Sequence, residues 1–243
     1  MELNLVEIWQ GMGTPVRAVV AVLTLQAVAC IAVTVDRLIL LLSSRRRSRK
    51  FAAEAAPRME EQDYDGFLEV ASRFTRNHLA SFLAAGLRTF LESREAGNRS
   101  EKAAELARRS LERKGETVST ELHKGMNVLA STGSTAPFVG LLGTVLGIIN
   151  AFKLIASSGS GGIGTIGSAI GEALIVTGYG LVVAIPAVLL FNWLSGLISR
   201  YEAGLVNAGS ELVDRLESHV PVPATSSAGE HASREVSAAM SVA

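Results

Sequence analysis

The chain has 243 residues, 48% hydrophobic and 19% charged, with 23 Lys+Arg balancing 23 Asp+Glu and a mean hydropathy of +0.32. Soluble domains carry about 25% charged residues, and here the shortfall is concentrated: no charge lies between Lys124 and Lys153, between Lys153 and Glu172, or between Glu172 and Arg200. Runs of that kind define an integral membrane protein. The even charge balance offers no basic field for nucleic acid. Aromatic residues, at 5%, are too few for the girdles of a transmembrane β-barrel. The single Cys30 forms no intrachain disulfide, and His78, His123, His219 and His231 are scattered without metal-ligand spacing, so neither metal nor other cofactor is expected. No nucleophile constellation or phosphate loop suggests an enzyme.

In chain order, residues 1–15 form a short N-terminus and 16–42 a first span. Residues 18–35 are uncharged, Asp36 and Arg37 interrupt, and an apolar stub follows to Leu42. About 20 residues suffice to cross the hydrocarbon, which predicts Asp36 and Arg37 near the interface. A cleavable signal peptide is disfavoured because Glu2 and Glu7 stand where a basic region is required. Directly after the span come Arg45, Arg46, Arg47, Arg49 and Lys50. They read as a membrane anchor that touches anionic headgroups, with nucleic-acid contact the lesser reading, and they place the following loop in the cytoplasm. The N-terminus is therefore outside; Arg17 counts against this and is offset by Glu2 and Glu7.

Residues 43–127 read as a cytoplasmic helical loop. Ser100 to Lys114 has helical character, with Ser100 as a candidate N-cap and Glu101 and Glu105 spaced to meet Arg108 and Arg109. Phe67, Leu68, Phe74, Leu79, Phe82, Leu83, Leu87, Phe90 and Leu91 supply an apolar face for a bundle.

The second span is predicted over 128–156 and the third over 166–199, joined by a Ser/Gly-rich turn at 157–165 that makes them a hairpin with its tip outside. The last helix is expected to continue over 200–223 inside the cell, with Leu205, Leu212, Val213 and Leu216 at helical spacing, until Pro221 and Pro223 end it. Disorder is expected over 224–243, which is rich in Ser, Ala and Gly. The fold class is thus an all-α integral membrane protein. It has three transmembrane helices, N-terminus out and C-terminus in, above a cytoplasmic bundle built from the first loop and the extension of the third helix.

Polar groups inside the hairpin are where chemistry should lie, since each costs free energy in hydrocarbon unless partnered or hydrated. Glu172 falls about six residues, or about 9 Å, into the third span. A carboxylate at the bilayer centre costs about 2.5–3.5 kcal/mol on insertion scales. Two readings stand: a salt bridge to Lys153 on the facing helix, or a carboxylate lining a hydrated ion path. Thr144 and Thr177 either bond the carbonyl four residues back or face that path. Gly143 and Gly147 form a GxxxG pair, and Ala169, Ala173 and Thr177 a small-residue ladder, which together predict tight helix packing. Pro137 and Pro186 each free a carbonyl in mid-helix and read as kinks or as shapers of a pore.

The segments TAPFVGLLGTVLGIINAF (135–152) and IGEALIVTGYGLVVAIPA (170–187) resemble the two signature helices of the MotA/TolQ/ExbB proton-channel family, most closely its ExbB and TolQ branches. The resemblance covers about 50 residues in both inner spans, and topology and loop sizes agree over the rest. It implies a bacterial inner-membrane protein that assembles as a homopentamer around two copies of a single-span ExbD/TolR-like partner. The partner's membrane aspartate takes up and releases protons, and proton flow drives mechanical work in the envelope. By position, Thr144 and Thr177 match pore-facing threonines, Glu172 the third-span glutamate, and Pro137 and Pro186 the prolines. Gly140, Gly143, Gly147, Ala173 and Gly180 fall at packing positions of the two motifs. Lys153 departs from a mostly apolar position. The work powered in such systems is TonB-dependent uptake, Tol-type envelope maintenance or, in AglR-type relatives, gliding, with a TonB/TolA-like or gliding-complex protein as the outer partner. A self-sufficient ion channel and a membrane scaffold without motor activity are the competing readings.

Overall fold

The computed structural model describes residues 12–158 and 163–218. Within them lie six helices: α1 (Thr14–Glu60), α2 (Tyr64–Arg73), α3 (His78–Glu95), α4 (Ser100–His123), α5 (Met126–Ser158) and α6 (Ile163–Ser218). Three of these, α1, α5 and α6, are long and apolar enough to cross a membrane. The expected tail at 224–243 lies outside the described residues.

Two of the helices are far longer than a bilayer requires. At 47 and 56 residues, α1 and α6 are about 70 and 84 Å long, against about 30 Å of hydrocarbon. Pro15 opens α1, where a missing N–H costs nothing. The helix then continues past the expected span, through Arg45–Lys50 and Pro57, to Glu60. Likewise α6 runs without a break from Ile163 through Pro186 to Ser218.

The shorter helices are set by their caps. Asp63 opens α2 by accepting the Gly66 N–H at 2.9 Å, and Arg58 holds its other oxygen at 2.8 Å. Asn77 opens α3, its Oδ1 accepting from the Leu79 N–H at 2.9 Å. Ser100 is not the cap of α4; Arg99 occupies that position without a side-chain bond, and Ser100 is the first helical residue. Of the predicted pairs along α4, Glu105 and Arg109 meet at 2.9 Å. Only a two-residue turn, Lys124–Gly125, separates α4 from α5, and Gly125 sits at φ +82°, a left-handed conformation glycine adopts without a Cβ penalty.

Two apolar cores result. The larger joins the lower part of α1 (Phe51, Ala55) to Phe67 of α2, Phe82, Leu87 and Phe90 of α3, Ala107, Leu111 and Leu122 of α4, and Leu205, Leu212, Val213 and Leu216 of α6. Phe51 is its hub, with edge-on contacts to Phe67 and Phe74 at 5.7 Å each. Each such fully buried side chain contributes about 1.5–3 kcal/mol. The smaller core, Val16, Val19 and Leu23 of α1 with Ala136, Val176, Val183 and Ala184, holds α1 against the hairpin. Outside it, α1, α5 and α6 expose large apolar side chains such as Leu25, Ile31, Ile39, Phe138, Leu142, Leu174, Val182 and Leu189, a surface suited to lipid and to other membrane helices.

Candidate functional site

The most extensive interface in the molecule is between α5 and α6, and small residues decide how close the two helices come. A Cβ placed on Gly180 would lie 2.7 Å from the Ala136 carbonyl oxygen and 3.0 Å from Gly140 Cα. Here the two backbones touch. One turn further along α5, a Cβ on Gly143 would meet Val176, and one on Gly147 would stand 2.7 Å from the Ala173 Cβ. Gly140, Gly143, Gly147, Ala173 and Gly180 therefore all lie along one crossing. Its tightest point is Gly140 against Gly180 rather than the Gly143/Gly147 pair.

That close approach fixes the threonines. Thr177 does not bond the carbonyl four residues back in its own helix; its Oγ1 donates to the Gly140 carbonyl of α5 at 3.0 Å. The expectation of a purely local bond is corrected for this residue. With no Cβ at Gly140, the hydroxyl of a short side chain reaches across. Thr144 lies one turn along from Gly140 on the same face of α5. It is 7% exposed and donates to the Leu141 carbonyl at 2.7 Å, three residues back rather than four.

Glu172 is half-buried, and Lys153 is exposed in the last turns of α5. Among the described residues no ion pair joins them, so the salt-bridge reading finds no support in the geometry. Glu172 stands five residues, about 7.5 Å, along α6 from Thr177. Pro137 is half-buried and Pro186 exposed, each inside a continuous helix. Among the described residues no three His, Cys, Asp or Glu side chains converge on a point that a metal could occupy.

The first helix brings polar groups to the hairpin that the reading of motifs passed over. Thr24 Oγ1 lies 3.1 Å from the Tyr179 hydroxyl, and Gln26 Nε2 donates to Thr135 Oγ1 at 3.4 Å. Gln26 Oε1 is buried without a partner among the described residues. Thr24 and Gln26 are the polar interruption in an apolar run, and that was the available signal.

Midway along α1, Arg37 is 8% exposed. Its Nε bonds Asp36 at 2.9 Å, and its Nη1 donates to the Glu121 carbonyl at 2.7 Å, a cation against the C-terminal carbonyls of α4. Nearby, Ser48 Oγ donates to Asn77 Oδ1 at 3.1 Å and lies 3.3 Å from the Tyr201 hydroxyl. The His78 ring packs edge-on against Tyr201. Burial pushes the Tyr201 hydroxyl above its ordinary range and His78 below its own. Arg45, Arg46, Arg47, Arg49 and Lys50 are all exposed on α1.

Three long apolar helices, two of them locked at glycine with threonine hydroxyls in the crossing, define a polytopic membrane protein. Residues 75–206, over half the chain, match the MotA/TolQ/ExbB proton channel family. The chain belongs to that family, one of proton channels rather than of enzymes. Its curated relatives include the biopolymer transport protein ExbB of Salmonella typhimurium, 28% identical over 212 residues that make up 87% of this chain and 86% of that protein. Another is the ExbB of Xanthomonas campestris pv. campestris (strain B100), 49% identical over 96 residues, 40% of this chain and 38% of that relative's length. The ExbB of Neisseria gonorrhoeae is 55% identical over 71 residues, 29% of this chain and 32% of that protein.

Proposed function

We propose that this chain is the channel subunit of a proton-driven motor in the bacterial inner membrane, with the hairpin tip outside and the helical bundle in the cytoplasm. The observation that carries the reading is the α5/α6 crossing: a tightly locked helix pair presenting Thr144 and Thr177, with Glu172 five residues along α6 from Thr177 and no titratable side chain hydrogen-bonded to Thr144 among the described residues. Thr144, Thr177 and Glu172 line the ion pathway, and Pro137 and Pro186 shape it. The titrating group comes from a second protein, a single-span ExbD/TolR-like chain with a membrane aspartate, two copies within a ring of five. A proton crossing 100 mV yields about 2.3 kcal/mol, so work accumulates over many small strokes. The output is envelope work of the TonB-dependent, Tol or gliding kind.

The test is the mass and composition of the complex purified in mild detergent from native membranes, followed by proton flux in liposomes. Five copies with a single-span, Asp-bearing protein, and flux only when both are present, is the expected result. A homogeneous complex lacking such a partner, or full flux from this chain alone, overturns the proposal.

A further inference from the structure

Below the membrane-spanning part of α1, the α2–α3 turn folds back against the basic stretch and closes a recess of about 250 Å³ lined by Arg47, Arg73, Phe74, Thr75, Arg76 and Asn77. Three arginines thus line one small volume, and residues 73–76 are 26 to 29 positions away from Arg47 in the chain. Arg73 is partly neutralised by Glu69 at 2.6 Å. Among the described residues neither Arg47 nor Arg76 has an acidic partner.

The wall of the recess is fixed in advance. Phe74 is held edge-on against Phe51. Asn77, 2% exposed, has its Oδ1 committed to the Leu79 N–H and the Ser48 hydroxyl. That bonding decides which end of the amide is oxygen, and it leaves Asn77 Nδ2, a buried donor, with no partner. The buried N–H dipole of Asn77 behind the wall and the uncompensated arginines on it both favour negative charge in the recess.

The depth is right for one source of such a group. Arg47 is five residues past Leu42, the last exposed large apolar side chain of the α1 run, and so about 7.5 Å beyond it. The headgroup layer is about 5–7.5 Å thick on each side of the hydrocarbon, which sets Arg47 at its outer edge.

We propose that this recess is a phosphate-binding site that takes the headgroup of an anionic phospholipid, with Arg47 and Arg76 gripping the phosphoryl oxygens, Thr75 supplying a neutral donor, and the buried Asn77 amide fixing the wall behind them. A free phosphate ion has the same chemistry, and the experiment separates the two. The site differs from the diffuse attraction of Arg45, Arg46, Arg49 and Lys50, because it has a stoichiometry and a shape.

The test uses the full chain in detergent micelles doped with phosphatidylglycerol or phosphatidylcholine, or supplied with inorganic phosphate, read by native mass spectrometry and thermal unfolding. One phosphatidylglycerol retained per chain is expected. Arg47→Gln with Arg76→Gln should weaken retention roughly 25-fold, about fivefold for each arginine. Asn77→Asp keeps an equivalent helix cap but sets a carboxylate oxygen where Nδ2 stands, and should also release the lipid while the helical content stays unchanged. Arg45→Gln with Arg49→Gln should keep the stoichiometry of one. Retention by the recess variants equal to wild type, or equal loss in the Arg45/Arg49 control, overturns the site. Stabilisation by inorganic phosphate but not by phosphatidylglycerol, with the same arginine dependence, overturns the lipid as its occupant.

Discussion

The Thr177 hydroxyl donates to the Gly140 carbonyl, 37 residues away in sequence and 3.0 Å away in space, where α5 and α6 run closest. The bond ties a polar group of one helix to the backbone of the other inside the membrane. Thr177→Val keeps the side-chain shape and removes the donor. Such bonds between membrane helices are worth about 0.6 kcal/mol, at most about 1.7, so the variant should insert and assemble. Proton flux through the complex with its partner should nevertheless be lost, and Thr177→Ser should restore it. Full flux in Thr177→Val would remove Thr177 from the pathway.

Two glycines two residues apart on α6 should respond oppositely to alanine. Gly180→Ala drives a methyl into the Ala136 carbonyl, which cannot move aside as a side chain can, and overpacking of this kind costs about 1–3 kcal/mol. Gly178→Ala meets nothing within 4 Å and gains helix propensity of up to about 1 kcal/mol. Thermal unfolding in detergent should show a lower midpoint for the first and an unchanged or higher one for the second.

Arg37 gives a third prediction. Replacing it by Met removes the charged donor to the Glu121 carbonyl, an interaction worth about 1.5–3 kcal/mol, at the turn between α4 and α5. Limited proteolysis should cut faster at Lys124 in Arg37→Met than in the parent, with proton flux through assembled complexes changed less than by Thr177→Val.

Acid should loosen the bundle through His78. Its pKa is lowered chiefly by burial and further by Lys114, with Glu121 opposing. Its Nδ1 lies 3.6 Å from Glu121 Oε2. Because the folded value lies below the ordinary 6.5, the unfolded chain binds the extra proton first. Stability is therefore full above about pH 6.5 and declines as pH falls from there through the folded value. A His78→Gln variant should show a flatter dependence of its unfolding midpoint between pH 7.5 and pH 5. A parallel pH dependence in both proteins would exclude His78 as the source.

Glu172→Gln addresses the carboxylate itself. With no ion pair to Lys153 there is no buried partner to strand, so the variant should insert and unfold like the parent while conducting poorly. Lys153→Gln should conduct normally. Equal defects in both would restore the paired reading.

The sequence made the large features readable because they depend on local composition. Charge-free runs mark the three helices long and apolar enough to cross a membrane, and the spacing of Phe67, Phe82, Leu87 and Phe90 marks the bundle face that the structure buries; the centre of the Ser/Gly turn, 159–162, lies outside the described residues. What it hid depends on long-range geometry. Arg45–Lys50 look like an end to α1, yet arginine and lysine are good helix formers and the helix passes through them. Arg37 beside Asp36 reads as a charged pair near the membrane edge, and only the fold adds the Glu121 carbonyl in the last turn of α4 as its second partner. The reach of Thr177 across to Gly140 follows from a glycine on another helix, which no period within either segment reveals.

The unbroken run of α6 turns it into a lever arm. Thr177 and Leu216 sit 39 residues apart on one helix, about 58 Å along its axis, with one end in the membrane crossing and the other in the bundle core. A tilt of about 5° at the crossing displaces the far end by about 5 Å, roughly the rise of one helical turn. Angular changes too small to break the Gly140–Gly180 contact can thus become displacements at the bundle large enough for another molecule to sense.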